Sequence, residues 1–104
     1  MKVLVTGGWQ HGDRIADAIR SGRTDAVSIG RPLVANNNLP EILKTANGPA
    51  KDKECTYCNK CLINDLENPL GCYELSRFEG ETFEEKYENM IEEVMSVYQP
   101  PTFT

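Results

Sequence analysis

Asp25-Ala26-Val27-Ser28-Ile29-Gly30-Arg31-Pro32-Leu33-Val34-Ala35-Asn36-Asn37-Asn38 carries the strongest topological signal in this chain. A short apolar run, Ala26 to Ile29, ends abruptly in Gly30-Arg31-Pro32. A buried parallel strand followed by a loop reads this way. Gly30 lets a ligand approach the backbone, and Arg31 sets a planar, permanently charged fork at the strand's C-terminal end, suited to a phosphate. Pro32 stops the strand. The same design occurs upstream, where the apolar run Lys2 to Val5 ends in Thr6-Gly7-Gly8. Between the two exits lies a helical pattern. Asp13 is the candidate N-cap of a helix from Arg14 to about Ser21. Ile15, Ala18 and Ile19 form its apolar stripe, and Gly22 closes it in the left-handed conformation. The three pieces make a βαβ unit with a right-handed crossover and an anion site at one end.

The rest of the chain is read outward from this unit. Leu33 to Asn37 is a short connection. Asn38-Leu39-Pro40-Glu41 resembles a capping box, with Asn38 as N-cap, for a short helix from Leu39 to Lys44. Thr45 to Glu54 is polar and reads as a loop. Cys55 to Cys72 is irregular, with a turn at Asn68-Pro69, and Tyr73 to Gly80 is a further connection. Thr82-Phe83-Glu84-Glu85 is a second capping box. It opens the longest helix, whose stripe is Tyr87, Ile91, Val94 and Tyr98, with Met90 and Met95 on its flanks. Glu84, Glu85, Glu88, Glu92 and Glu93 make a solvated face, and Pro100-Pro101 stops the helix. The organisation is a βαβ portion over 1–45, a cysteine-rich segment over 46–80, and a helix with its tail over 81–104.

Composition bounds the function. A chain of 104 residues makes one small domain. Its charge of −5 argues against a nucleic-acid partner. No apolar run approaches a membrane span, and the strand-like start is not a signal peptide. A cytoplasmic setting is expected. The four cysteines follow as Cys55-x-x-Cys58-x-x-Cys61 and then Cys72. In a reducing compartment this spacing points to metal rather than disulfides. A [4Fe–4S] cluster or a structural zinc suits such a thiolate set, and unligated buried cysteines are the plain alternative. Lys60 would favour an anionic cluster, though an exposed lysine is its default reading, and Tyr57 and Leu62 are expected to pack over the site. His11 reads as an exposed loop residue.

Two parallel strands cannot cover themselves. More strands must come from elsewhere, or copies of the chain must associate. In a (β/α)8 barrel, the loops after strands seven and eight commonly hold a phosphate, and Thr6-Gly7-Gly8 and Gly30-Arg31 fit those two loops.

The ordered series Thr6-Gly7-Gly8-Trp9, Ala16-Asp17-Ala18-Ile19, Gly22, Asp25 to Leu33 and Asn36 to Leu39 resembles the C-terminal part of the Old Yellow Enzyme family of flavin-dependent oxidoreductases. The resemblance covers residues 2–44 strongly. The tail through Pro101 is similar to one bacterial branch. It implies an α/β fold, the strand-seven and strand-eight portion of a TIM (β/α)8 barrel, followed by a cysteine-rich loop and a C-terminal helix. It also implies non-covalent FMN, its phosphate held by Gly7, Gly8, Gly30 and Arg31. Trp9 stands where Phe is more usual and would pack near the isoalloxazine edge. The bland readings are a tight turn for Gly7-Gly8 and a surface ion pair for Arg31. A subset of the family, of the trimethylamine dehydrogenase and 2,4-dienoyl-CoA reductase type, carries an iron–sulfur cluster just after strand eight on a similar cysteine pattern. This implies Cys55, Cys58, Cys61 and Cys72 as ligands. The family's first six strands, with its catalytic residues, have no counterpart here, and His11 does not match the substrate-binding pair. No catalytic residue is carried over, and the chain alone is expected to be inactive. NAD(P)H and a small-molecule substrate belong to the complete enzyme. The rival readings are a stand-alone four-cysteine metal module (iron–sulfur or zinc) and a self-associating barrel fragment.

Overall fold

β1 (Leu4–Thr6) and β2 (Ala26–Ser28) pair in parallel, Leu4 opposite Ala26 and Thr6 opposite Ser28. They form a two-stranded sheet, joined through helix α1 (Gly12–Arg20). The computed structural model describes residues 1–97, and the expected positions of Tyr98 and of the Pro100-Pro101 stop lie outside them. The chain is a small α/β protein that divides into two units, Met1–Tyr57 and Cys58–Thr104.

In the first unit both strands are shorter than expected. Neither Met1 to Val3 nor Ile29 belongs to the ladder. The expected burial also fails. Val3, Leu4 and Val5 are 44, 64 and 37% exposed. The reason is the one anticipated from strand count: the described chain supplies no further strand to cover them.

α1 begins at Gly12 rather than at Arg14. Its N-cap is His11, not Asp13, and the His11 side chain makes no capping bond. The first amides are instead met by Asn47. Its carbonyl accepts from Gly12 N–H and its Oδ1 accepts from Asp13 N–H at 2.8 Å. At the other end Gly22 has φ +80° as expected. Its N–H donates to Ile19 C=O, and Arg23 N–H donates to Ala18 C=O. Both orphan carbonyls are thereby satisfied in a Schellman motif.

The segment 33–37, expected as connection, lies mostly in a short helix, α2 (Arg31–Ala35). Pro32, expected to stop the strand, instead sits in the first turn of this helix, and β2 has already ended at Ser28. α3 (Leu39–Thr45) follows, with Leu39 fully buried. The expected capping box there does not form. Asn38 has φ −98° and ψ 21°, not the extended backbone that aims a cap, and Glu41 pairs with Lys44 at 3.2 Å instead. A 3-10 turn spans Lys51–Lys53 within the expected loop.

In the second unit a helix, α4 (Lys60–Asn64), occupies part of the cysteine segment read as irregular. A 3-10 turn covers Leu75–Arg77. α5 (Phe83–Val97) is the longest element. Thr82 Oγ1 accepts from Glu85 N–H at 3.2 Å, one half of the expected capping box. The other half shifts by a residue, because the Glu85 carboxylate accepts from Glu81 N–H, not from Thr82. The buried face of α5 is centred on Met90 and Val94, with Ile91 beside them. Tyr87 is 48% exposed and stacks on Phe83. The stripe is thus rotated from the expected Tyr87–Ile91–Val94 line. Tyr73 and Phe78 join Met90 and Val94 in one cluster and supply the surface that covers the helix. No helix among the described residues is long and apolar enough to cross a membrane.

Candidate functional site

The register of the sheet brings the two glycine exits together. Thr6 lies opposite Ser28, so Gly7-Gly8 and Ile29-Gly30 leave the same C-terminal edge of adjacent strands. Gly7 and Gly8 have φ +117° and +76°. Two successive amides in this conformation turn the backbone in a way that few residues other than glycine tolerate. A Cβ at Gly7, Gly8 or Gly30 would meet no described atom within 4 Å, so the edge is open. Gly30 caps α2, and Arg31 follows in its first turn. The Arg31 guanidinium lies over the Tyr57 ring, 5.0 Å from its centroid. Cation–π stacking of this kind holds a guanidinium by its face, whereas oxygen ligands bind at its edge. Trp9 is half-buried, and its indole N–H donates to Val5 C=O at 3.1 Å.

The cysteine segment is divided by the unit boundary, with Cys55 in the first unit and Cys58, Cys61 and Cys72 in the second. None is in a disulfide. Among the described residues no three His, Cys, Asp or Glu side chains form a group able to hold a metal ion. Cys55 is held by Gln10, which is buried. Gln10 Oε1 accepts from Cys55 N–H at 3.0 Å and its Nε2 donates to Cys55 C=O at 2.9 Å. Cys55 Sγ accepts from Tyr57 N–H at 3.4 Å. Tyr57 and Asn59 both have left-handed φ, 58° and 67°, on either side of Cys58. A bulky residue such as Tyr57 adopts this only under constraint. Burial, followed by the charge of Cys55, pushes the Tyr57 phenol above its ordinary pKa.

In the second unit Lys60 Nζ meets Glu74 Oε2 at 3.0 Å. The Lys60 hydrogen bond, aided by Ser76 N–H and the Cys58 side chain, holds the Glu74 carboxyl below the usual carboxylate range. Glu74 in turn raises Lys60, and the charges of Cys58 and Cys72 act in the same direction. Lys60 is exposed, the plain reading of its position, and the charges of Cys58 and Cys72 act on it in addition to Glu74. Leu62, expected to pack over the site, is exposed, and Tyr57 packs under Arg31 instead.

His11 is not the exposed loop residue expected. It is half-buried, and its Nε2 lies 2.7 Å from Glu54 Oε1. Gln10, Glu54 and Glu74 all escape a sequence reading. Their partners lie 45, 43 and 14 residues away, and no local pattern marks them. No protein-family model, curated protein or solved structure matches this chain.

Proposed function

We propose that this chain is the strand-seven and strand-eight portion of an FMN-dependent NAD(P)H oxidoreductase barrel of the Old Yellow Enzyme type. On this reading it supplies the FMN phosphate site and a cysteine-ligated metal loop, in a cytoplasmic protein. The catalytic residues and the remaining strands lie in another part of the assembly. The observation that carries the reading is the parallel register, which sets Gly7-Gly8 and Gly30-Arg31 on one strand edge while leaving the apolar residues of β1 uncovered. Loops at the C-terminal ends of adjacent parallel strands are where α/β folds bind phosphates. Bound FMN would supply the two-electron carrier. The chain's own contribution is to bind: Gly7 and Gly8 by backbone N–H, and Arg31 by its charged fork. Trp9, with its indole anchored on Val5, would border the flavin edge.

The test is a titration of the full chain with FMN and with riboflavin, read by flavin fluorescence. Weak binding that needs the phosphate, and that Arg31→Ala abolishes, supports the reading. Equal binding of FMN and riboflavin, or none of either, overturns it. Turnover of NAD(P)H and an enone by the chain alone would overturn the assignment of catalysis to another part.

Two observations favour a second reading, a small four-cysteine metal module without catalysis. Cys55 Sγ already accepts a backbone N–H, and Lys60 sits close to Cys58 and Cys72. Both place polar or cationic donors beside cysteines, the residues that bind metal as thiolates. An anaerobic absorbance spectrum separates the two. Thiolate-to-metal absorbance without flavin affinity favours the module.

A further inference from the structure

An open cavity of about 400 Å³ lies in the first unit, lined by Val5, Trp9, Arg14, Asp17, Ala18, Arg23 and Thr24. Its size is that of a small-molecule site. Val5, Ala18 and the Trp9 ring make it largely apolar. The Trp9 indole N–H is already committed to Val5 C=O, which fixes the ring in the cavity wall. The Thr24 hydroxyl is also spent, donating toward Val3 C=O at 3.0 Å and Ala26 C=O at 2.7 Å. The charged groups are unequal. Arg23 pairs with Asp17. The Arg14 guanidinium makes no ion pair among the described residues, so the cavity carries one uncompensated positive charge beside a flat aromatic wall.

We infer that this cavity binds a small aromatic carboxylate, its ring on Trp9 and its carboxylate on Arg14. A carboxylate matches the guanidinium fork in a bidentate pair, and one negative charge balances one unpaired cation. A neutral ring would forfeit that pair. A dianion would bring a second charge that only the already paired Arg23 could meet. The site lies on the flank of α1, and the inference does not rest on the flavin reading.

Trp9 is the chain's one tryptophan, so its indole N–H gives a single resolved cross-peak in a 15N-labelled sample. The full chain is titrated with benzoate and, separately, with benzamide, which keeps the ring and removes the charge. Saturable movement of the Trp9 signal by benzoate, with benzamide at least about tenfold weaker, is the expected result. Arg14→Gln should lose the same factor while the remaining amide spectrum stays in place. No saturable shift, equal response to the two ligands, or full affinity in a folded Arg14→Gln chain would each overturn the proposal. The benzoate–benzamide comparison stands even where the variant fails to fold.

Discussion

Gln10 grips the backbone of Cys55 at both ends, its amide oxygen on the N–H and its amide nitrogen on the C=O. The pairing copies one rung of a β-ladder with a side chain, and it fixes the first cysteine of the Cys55–Cys61 triplet from 45 residues away. Because Gln10 is only 4% exposed, water cannot easily take over these bonds. Gln10→Ala should therefore destabilise the chain by about 1–3 kcal/mol, the cost of stranding two backbone groups. It should also weaken any metal held through Cys55. Urea unfolding and metal titration measure the two effects, and a neutral Gln10→Ala chain would refute the role given to this clamp.

Gly71 and Val94 are packed so closely that a Cβ on Gly71 would lie 2.7 Å from Val94 Cγ2. Both residues are buried. Gly71→Ala should cost about 1–3 kcal/mol by overpacking. Val94→Ala opens a space and costs an amount of its own. The double variant should be more stable than the sum of the two losses predicts, since the new methyl fills the space left by the valine. Strict additivity in a double-mutant cycle would show that the contact is not what limits position 71.

Tyr73 predicts an alkaline loss of stability. Its hydroxyl donates to Pro69 C=O. Burial first, then negative charge at Asp65 and Tyr87, raise its pKa above the ordinary tyrosine value. The unfolded chain therefore ionises before the folded one. The contribution is fully present below about pH 10, and is lost as pH rises from there through the raised folded value. The melting temperature should fall as pH rises above about 10. Tyr73→Phe should start lower by about 0.5–1.5 kcal/mol, for the lost hydrogen bond, and fall less steeply. An unchanged slope in Tyr73→Phe would assign the effect to another group.

The proposed cysteine-ligated metal loop predicts a response to metal, although no three described ligand side chains are grouped as they stand. Anaerobic loading with iron and sulfide should give broad visible absorbance that dithionite bleaches, whereas zinc should give none. Either metal should raise the melting temperature, because binding to the folded form adds to its stability. It should also slow alkylation of Cys55, Cys58, Cys61 and Cys72 together. Four thiols that react at unchanged rates after loading would remove the metal reading. Loss of the absorbance in Cys72→Ser, as well as in the triplet variants, would place all four on one centre.

Local chemistry was enough to specify the βαβ unit. Apolar runs ending in glycine and Gly22 at the helix end are signals carried by neighbouring residues, and local sterics enforce them; of the expected α1 stripe of Ile15, Ala18 and Ile19, only Ala18 is buried and Ile19 is 42% exposed. The start of α5 near Thr82 was legible for the same reason, since a hydroxyl three residues from the amide it caps needs no distant partner. The partners that hold the candidate site emerge only in three dimensions. Asn47 caps α1 from 34 residues away, and Glu54 meets His11 across 43. The buried face of α5 followed the same logic. Tyr87 and Met90 both fit a helical stripe, and the choice fell to Met90 because Tyr73 and Phe78 lie against that side. Periodicity fixes which residues share a face of a helix, but the neighbour that covers one face sets which of them leave water.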